Sequence, residues 1–216
     1  MRLVEMKHNL AIETAKLIFR SGLDVVFIGG TALNSVYLNY RFSEDLDFGY
    51  TEKNKKADIE KVLRKSGYVV EPMAFKFRDL ITFEGISIKM DVILYELKYG
   101  RFVERMLGEV RIKTLDIPEF IVEKTIGFLT REEMAGIARD AYDLFAIHKE
   151  YHNVFHVVRK AAAVIKRKAD VMDHNIYFFL GRKKEVISAL RPYLKKEVQY
   201  DDVADFVKRL KVVLHD

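Results

Sequence analysis

The apolar run Val25-Val26-Phe27-Ile28 leads straight into Gly29-Gly30, and a helix-like stretch then carries the chain to Asp45-Leu46-Asp47. That order of strand, glycine turn, helix and second strand predicts a mixed α/β sheet with chemistry at its strand ends. Successive strand side chains point to opposite faces, so Asp45 and Asp47 share one. Two like charges so close oppose folding unless a cation lies between them. The paired glycines offer unobstructed backbone N–H groups at a helix start, an arrangement suited to phosphate. Metal beside phosphate is the chemistry these residues predict.

The remaining pattern divides into two halves. Residues 3–20 read as an amphipathic helix, with Leu3, Leu10, Leu17 and Ile18 among its apolar positions. Strands are predicted at 25–28, 44–49, 68–70, 75–83, 86–95 and 110–112. Helices are predicted at 31–40, with Thr31 as a possible N-cap, and at 55–65, closed by Gly67. Glu84-Gly85 reads as the turn of a hairpin. From Pro118 onward the pattern is helical, at about 118–129, 131–149, 152–168, 182–194 and 202–214, and Pro192 implies a kink or an earlier stop. The expected division is a mixed α/β domain over residues 1–115 and a helical domain over 116–216.

Composition narrows the function. The 216-residue chain has no cysteine, which excludes disulfides and thiolate chemistry and predicts an intracellular, cytoplasmic protein. No segment reaches bilayer-spanning apolar length, so no membrane is expected. The N-terminal stretch carries Glu5 and Glu13 within its amphipathic pattern and reads as a first helix rather than a signal peptide. Residues 151–216 hold 14 Lys and Arg against 8 Asp and Glu, whereas the first 150 hold 23 against 24. The basic surplus therefore lies wholly in the last third, where a phosphate-rich partner is the functional reading and solvated helix faces the plain one.

The strand Ile88–Tyr95 carries a lone carboxylate, Asp91, in an otherwise strongly apolar sequence. If it pairs with the 44–49 strand, Asp91 joins Asp45 and Asp47 on one patch. Three oxygen donors with open positions suit Mg²⁺ or Mn²⁺, which keep water and phosphate among their ligands. Asp91 would serve as second-metal ligand or general base.

Gly29-Gly30, a spacer, Asp45-Leu46-Asp47 and the later Asp91 resemble the signature of the DNA polymerase β-like nucleotidyltransferase superfamily. Within it, GGTAL…YR-x-SEDLDF is similar to the AbiEii/AbiGii toxin family, the enzymatic half of type IV toxin–antitoxin systems. Lys124 in PEFIVEKTIGFL and the run Arg139-Asp140-Ala141-Tyr142-Asp143-Leu144 look like further elements of that family. The resemblance implies an α+β, nucleotidyltransferase-like mixed sheet with flanking helices, followed by a C-terminal helical region. It implies that Gly29, Gly30 and Thr31 hold a triphosphate, with Ser43 adding a hydrogen bond. Asp45, Asp47 and Asp91 would bind the catalytic metal pair, Lys124 would contact phosphates, and Asp140 or Asp143 would organise the site. The implied reaction moves a nucleoside monophosphate from an NTP to an acceptor, releasing pyrophosphate. The implied acceptor is the end of a tRNA, and the implied protein partner a cognate antitoxin.

Competing readings stand beside this one. The same chemistry could serve a small-molecule acceptor, or the fold could persist as a non-catalytic module binding nucleic acid or an antitoxin. On the 131–149 helix, Ile137, Ala141, Leu144, Phe145 and His148 form the apolar stripe, which leaves Arg139, Asp140 and Asp143 compatible with a solvated face. His148, His152 and His156 follow i,i+4 spacing; a shared metal-binding face is one reading and a surface stripe the other.

Overall fold

The computed structural model describes residues 2–169 and 172–216. The chain divides into two compact units: residues 1–96 with 102–115, and residues 97–101 with 116–216.

The first unit holds α1 (Leu3–Arg20), β1 (Val26–Ile28), α2 (Gly29–Leu33) with a π-helical continuation (Asn34–Leu38), and β2 (Asp45–Tyr50). It continues through α3 (Lys56–Lys65), β3 (Val69–Pro72), β4 (Arg78–Phe83), β5 (Ile86–Leu94), β6 (Phe102–Leu107) and β7 (Val110–Leu115). The seven strands form one sheet in the order β3-β4-β5-β2-β1-β7-β6. Two pairings, β2 with β5 and β1 with β7, are parallel, and the rest are antiparallel. The sheet is mixed, as the sequence predicts.

Alternation along the central strands sorts the faces. Leu46, Phe48, Met90, Val92, Ile81 and Phe27 are buried, and each such side chain stabilises the fold by roughly 1.5–3 kcal/mol. Helix α1 packs on this sheet through Ala11, Ala15 and Ile18, and its Phe19 ring lies 6.2 Å from that of Phe48. The opposite face of β2 and β5 carries Asp45, Asp47, Lys89 and Asp91.

The predicted Glu84-Gly85 turn is present. Phe83 pairs with Ile86, and Glu84 and Gly85 both take positive φ, 49° and 77°, which matches the right-handed twist of the flanking strands. Three first-unit elements differ from expectation. The 75–83 strand begins only at Arg78, because Arg78 N–H donates to the Phe75 carbonyl and closes a turn. Strand β6 was not predicted: it pairs with β7 alone and exposes Glu104, Arg105 and Met106, so no apolar alternation marks it. The 31–40 helix starts at Gly29 and loosens to π geometry before Asn39 ends it in the left-handed region, φ 53°.

The second unit holds α4 (Ile117–Thr130), α5 (Met134–Tyr151), α6 (Val154–Lys160), α7 (Ala162–Lys168), α8 (Met172–Gly181), α9 (Lys183–Leu190) and α10 (Tyr200–His215). Asp116 caps α4 by accepting from Glu119 N–H, and Pro118 occupies its first turn. The fully buried Glu119 carboxylate accepts three successive backbone N–H groups, from Lys98 at 2.9 Å, Tyr99 at 2.8 Å and Gly100 at 2.7 Å. Those bonds satisfy a charge that would otherwise be costly to bury, and they tie residues 97–101 to this unit. The predicted 152–168 helix is two helices broken at Ala161. Helix α8 lies in a stretch left unassigned by the sequence reading, and α9 stops at Leu190, before Pro192.

Candidate active site

In the first unit, one row of residues crosses four strands. Ile28 on β1 pairs with Asp47 on β2, Asp47 with Asp91 on β5, and Asp91 with Arg78 on β4. Residues in register on adjacent strands project from the same side, with neighbouring strands about 4.8 Å apart. Asp91 therefore stands beside Asp47, and Asp45 lies two residues along on the same face. The three partly exposed carboxylates are brought to one patch.

Sequence reasoning missed the cation beside them. Arg78 donates through Nε and Nη2 to the two oxygens of Asp91, each at 2.6 Å, the bidentate geometry that makes such pairs strong. The Asp91 hydrogen bond raises the guanidinium's affinity for its proton against the opposing effect of burial, and the charges of Asp91, Asp45 and Asp47 add to it. A positive group thus already answers the field of all three acids.

Gly29 joins this row to the turn. Its φ is +76°, and a Cβ built on it would lie 2.1 Å from Asp47 Oδ2, so only glycine lets that carboxylate rest against the backbone. A Cβ on Gly30 would lie 2.7 Å from Arg41 Nη2 and 3.1 Å from Ser43 Oγ. Thr31, fully buried, donates its hydroxyl to the Asp45 carbonyl at 2.5 Å and ties the turn to β2. Asn34 donates to the Gly30 carbonyl at 3.1 Å and accepts from Arg41 N–H at 3.3 Å. Gly29, Gly30, Thr31, Ser43, Asp45 and Asp47 are therefore neighbours. Arg41, 2% exposed, is a further member that the sequence reading did not single out.

In the second unit, Lys124 on α4 and Asp140 and Asp143 on α5 form a buried cluster. The Lys124 ammonium lies 2.8 Å from Asp140 and 2.9 Å from Asp143, and Arg131 Nε donates to Asp140 at 2.8 Å. Burial pushes the Asp140 carboxyl up, but Lys124 and Arg131 outweigh it and hold the group below its ordinary value. The solvated-face reading of α5 is corrected here: apart from Arg139, every residue from Gly136 to Ile147 is buried. The two acids are held among apolar neighbours by cations, not by water.

The histidine trio does not form one helix face, although the His148 and His152 rings still meet edge to face, 6.2 Å apart. Helix α5 ends at Tyr151, His152 takes a left-handed φ of 55°, and α6 starts afresh at Val154, so the spacing no longer makes a common face. Among the described residues, no group of three or more His, Asp or Glu side chains is placed so that it could hold a metal ion, and the patch of Asp45, Asp47 and Asp91, with Arg78 on Asp91, is no exception. His148 instead packs its ring 4.7 Å from Phe155 and 5.4 Å from Phe206, with Nδ1 buried and without a partner among the described residues. Desolvation, with the charges of Arg209, His152 and Lys149, lowers its pKa from the ordinary 6.5. The unfolded chain then binds a proton that the folded chain refuses. Stability should be full above pH 6.5 and decline as pH falls through the interval down to the folded-state value. Urea midpoints measured between about pH 5 and 7.5 should show this slope in the wild type and a flatter one in His148→Gln. Equal slopes would remove the assignment.

The sequence model for "Nucleotidyl transferase AbiEii toxin, Type IV TA system" matches residues 18–216. The chain belongs to this family. It is accordingly a nucleotidyltransferase, and the non-catalytic alternative falls. The fold agrees with solved structures. JHP933 from Helicobacter pylori is 18% identical, with a TM-score of 0.58 over 97% of this chain and 91% of that one. A second H. pylori structure, described as that of a candidate nucleotidyltransferase, is 19% identical, with a TM-score of 0.55 over 97% of this chain and 94% of that one. No curated protein matches the chain. Among the described residues, no helix is long and apolar enough to cross a membrane.

Proposed function

We propose that this AbiEii-family enzyme moves a nucleoside monophosphate from an NTP to the acceptor end of tRNA, as the toxin of a pair with a cognate antitoxin. The observation carrying the reading is the row Asp47–Asp91 with Asp45 on the same face, set against Gly29. In this reading residues 1–115 are the nucleotidyltransferase core and residues 116–216 a helical domain.

The donor set fits a hard divalent ion. Its three oxygen ligands are carboxylates, and they already attract the Arg78 guanidinium. Asp45, Asp47 and Asp91 would hold Mg²⁺ or Mn²⁺, which supplies Lewis-acid stabilisation of the phosphates and of the attacking oxygen. The few protein ligands suit an ion that keeps water and substrate oxygens. Gly29 and Gly30 would present backbone N–H groups to the triphosphate, with Ser43 adding its hydroxyl and Thr31 fixing the turn. The acceptor hydroxyl attacks the α-phosphorus, the bond to the β-phosphate oxygen breaks, and pyrophosphate leaves. Arg78 engages both Asp91 oxygens with one bond each, which leaves their remaining lone pairs for an ion or for the hydroxyl proton. The basic C-terminal third, with exposed Arg182, Lys183 and Lys184, favours an RNA acceptor over a small neutral one.

The test incubates the purified chain with each α-labelled NTP, Mg²⁺ and total cellular RNA. Label is expected on RNA of tRNA size with release of pyrophosphate, and EDTA should abolish it. Label confined to protein or to small molecules would replace the tRNA reading, and transfer persisting in EDTA would end the metal role.

A further inference from the structure

The turn between β3 and β4 is unlike the other loops of the first unit. From Glu71 to Phe77 every residue is exposed, and two of them are phenylalanines, Phe75 at 56% and Phe77 at 40% exposure. Their rings stack on each other, 5.5 Å apart and 18° from parallel. The turn is braced: Met73 N–H donates to the Arg78 carbonyl at 3.0 Å, Arg78 N–H to Phe75 at 2.9 Å, and Val92 N–H to Phe77 at 2.9 Å. Two large apolar rings thus stand partly in water as one contiguous pair on a hydrogen-bonded turn, the kind of exposure that marks a binding surface. The guanidinium of Arg78 lies 5.6 Å from the Phe75 ring centre and 5.8 Å from that of Phe77. That same guanidinium grips Asp91.

Position in the sheet says what would cover these rings. In the strand order β4-β5-β2-β1, the carboxylates occupy the two middle strands. Gly29-Gly30 follows β1 on one flank and the aromatic turn precedes β4 on the other, and because β1 and β4 run the same way the two leave the row toward opposite strand ends. Across the strands alone the two flanks are about 14 Å apart, three strand spacings. A triphosphate on the glycine flank leaves the aromatic flank for the second substrate, whose hydroxyl has to reach the carboxylates between them. Near-parallel rings with the Arg78 guanidinium close to both, and Lys76 exposed on the same turn, combine a π surface with positive charge, the pairing that receives an unstacked base.

We infer that Phe75 and Phe77 form the platform on which an unpaired nucleobase of the acceptor RNA stacks, with Arg78 linking that platform to Asp91. The inference rests on the RNA-acceptor reading above and adds the place where the strand end is received. A preformed platform loses little entropy on binding, and stacking tolerates any base, so the contact selects single strands over duplex without reading sequence.

The experiment compares wild type with Phe75→Leu/Phe77→Leu and Phe75→Tyr/Phe77→Tyr, all shown to be folded by circular dichroism. Leucine keeps the apolar bulk and removes the π face, and tyrosine retains it. Fluorescence anisotropy with a labelled single-stranded RNA oligonucleotide and with a blunt RNA duplex gives the affinities, and equilibrium dialysis gives that for NTP. The leucine variant should bind single-stranded RNA about tenfold more weakly, with duplex and NTP binding unchanged and tyrosine near wild type. Because stacking releases no counterions, the salt dependence should keep its slope. Wild-type RNA that binds with the leucine variant losing nothing would overturn this inference alone. A loss confined to NTP would move the platform to the other substrate and overturn it too. A wild type that binds no RNA would bring down the acceptor reading and this inference together.

Discussion

Asp47→Asn is expected to reduce nucleotidyl transfer by about 10³-fold while leaving the chain folded. Metal-held charge stabilisation is worth several kcal/mol in the transition state, and each ~1.4 kcal/mol is a factor of ten in rate. Asparagine has nearly the volume of aspartate, so it fits against Gly29, where a Cβ would lie 2.1 Å from the present Oδ2. It also keeps the register with Ile28 and Asp91. What it removes is one of the negative charges on that face. Repulsion from Asp45 and Asp91 then falls, so the thermal midpoint in metal-free buffer should be no lower than that of the wild type. Lost transfer with an undiminished midpoint separates a chemical role from a structural one. Near-normal transfer by the variant with Mg²⁺ and NTP would refute the role given to Asp47.

The strand–glycine–strand core was legible because its signals are local. Val25–Ile28, the paired glycines and the Asp45–Asp47 alternation each imply their own geometry, and the Glu84-Gly85 turn marks its hairpin. Arg78 was also within reach: counting back from that turn pairs Phe83 with Ile86 and, by the same step, Arg78 with Asp91. Arg41 stands inside the motif YR-x-SEDLDF, yet nothing in its neighbours says that its guanidinium will be folded over Gly30. Periodicity failed where packing is not one-sided. On α5 the apolar stripe suggested an exposed opposite face, yet eleven of its eighteen residues are buried, Asp140 and Asp143 among them, and no helical period can announce an ion pair arriving from α4. Strand β6 and the break at Ala161 escaped for the reverse reason, because an exposed edge strand and a helix interruption without Pro or Gly leave no mark on the sequence.

That ion pair defines the largest expected loss of stability. The Lys124 side chain is 8% exposed, with Asp140 at 3% and Asp143 at 0%. Breaking a buried pair by removing one partner leaves a desolvated charge and costs about 3–5 kcal/mol. Lys124→Met should therefore lower unfolding stability by that order in chemical denaturation, although methionine fills the space of the lysine stem. Asp140 keeps the 2.8 Å bond from Arg131, and both acids lose the Lys124 ammonium. Lys124→Met/Asp143→Leu should then be less destabilised than the two single variants added together, because the charge and its missing partner go at once. The acid limb offers a second reading of the same cluster. In the wild type the lowered Asp140 pKa contributes stability that is complete above the ordinary 3.8 and is lost as pH falls through the folded-state value. Without Lys124, burial regains ground against the single remaining cation, the folded-state pKa rises, and this contribution shrinks. A Lys124→Met protein as stable as the wild type, with an unchanged acid limb, would show that the cluster does not hold α4 to α5.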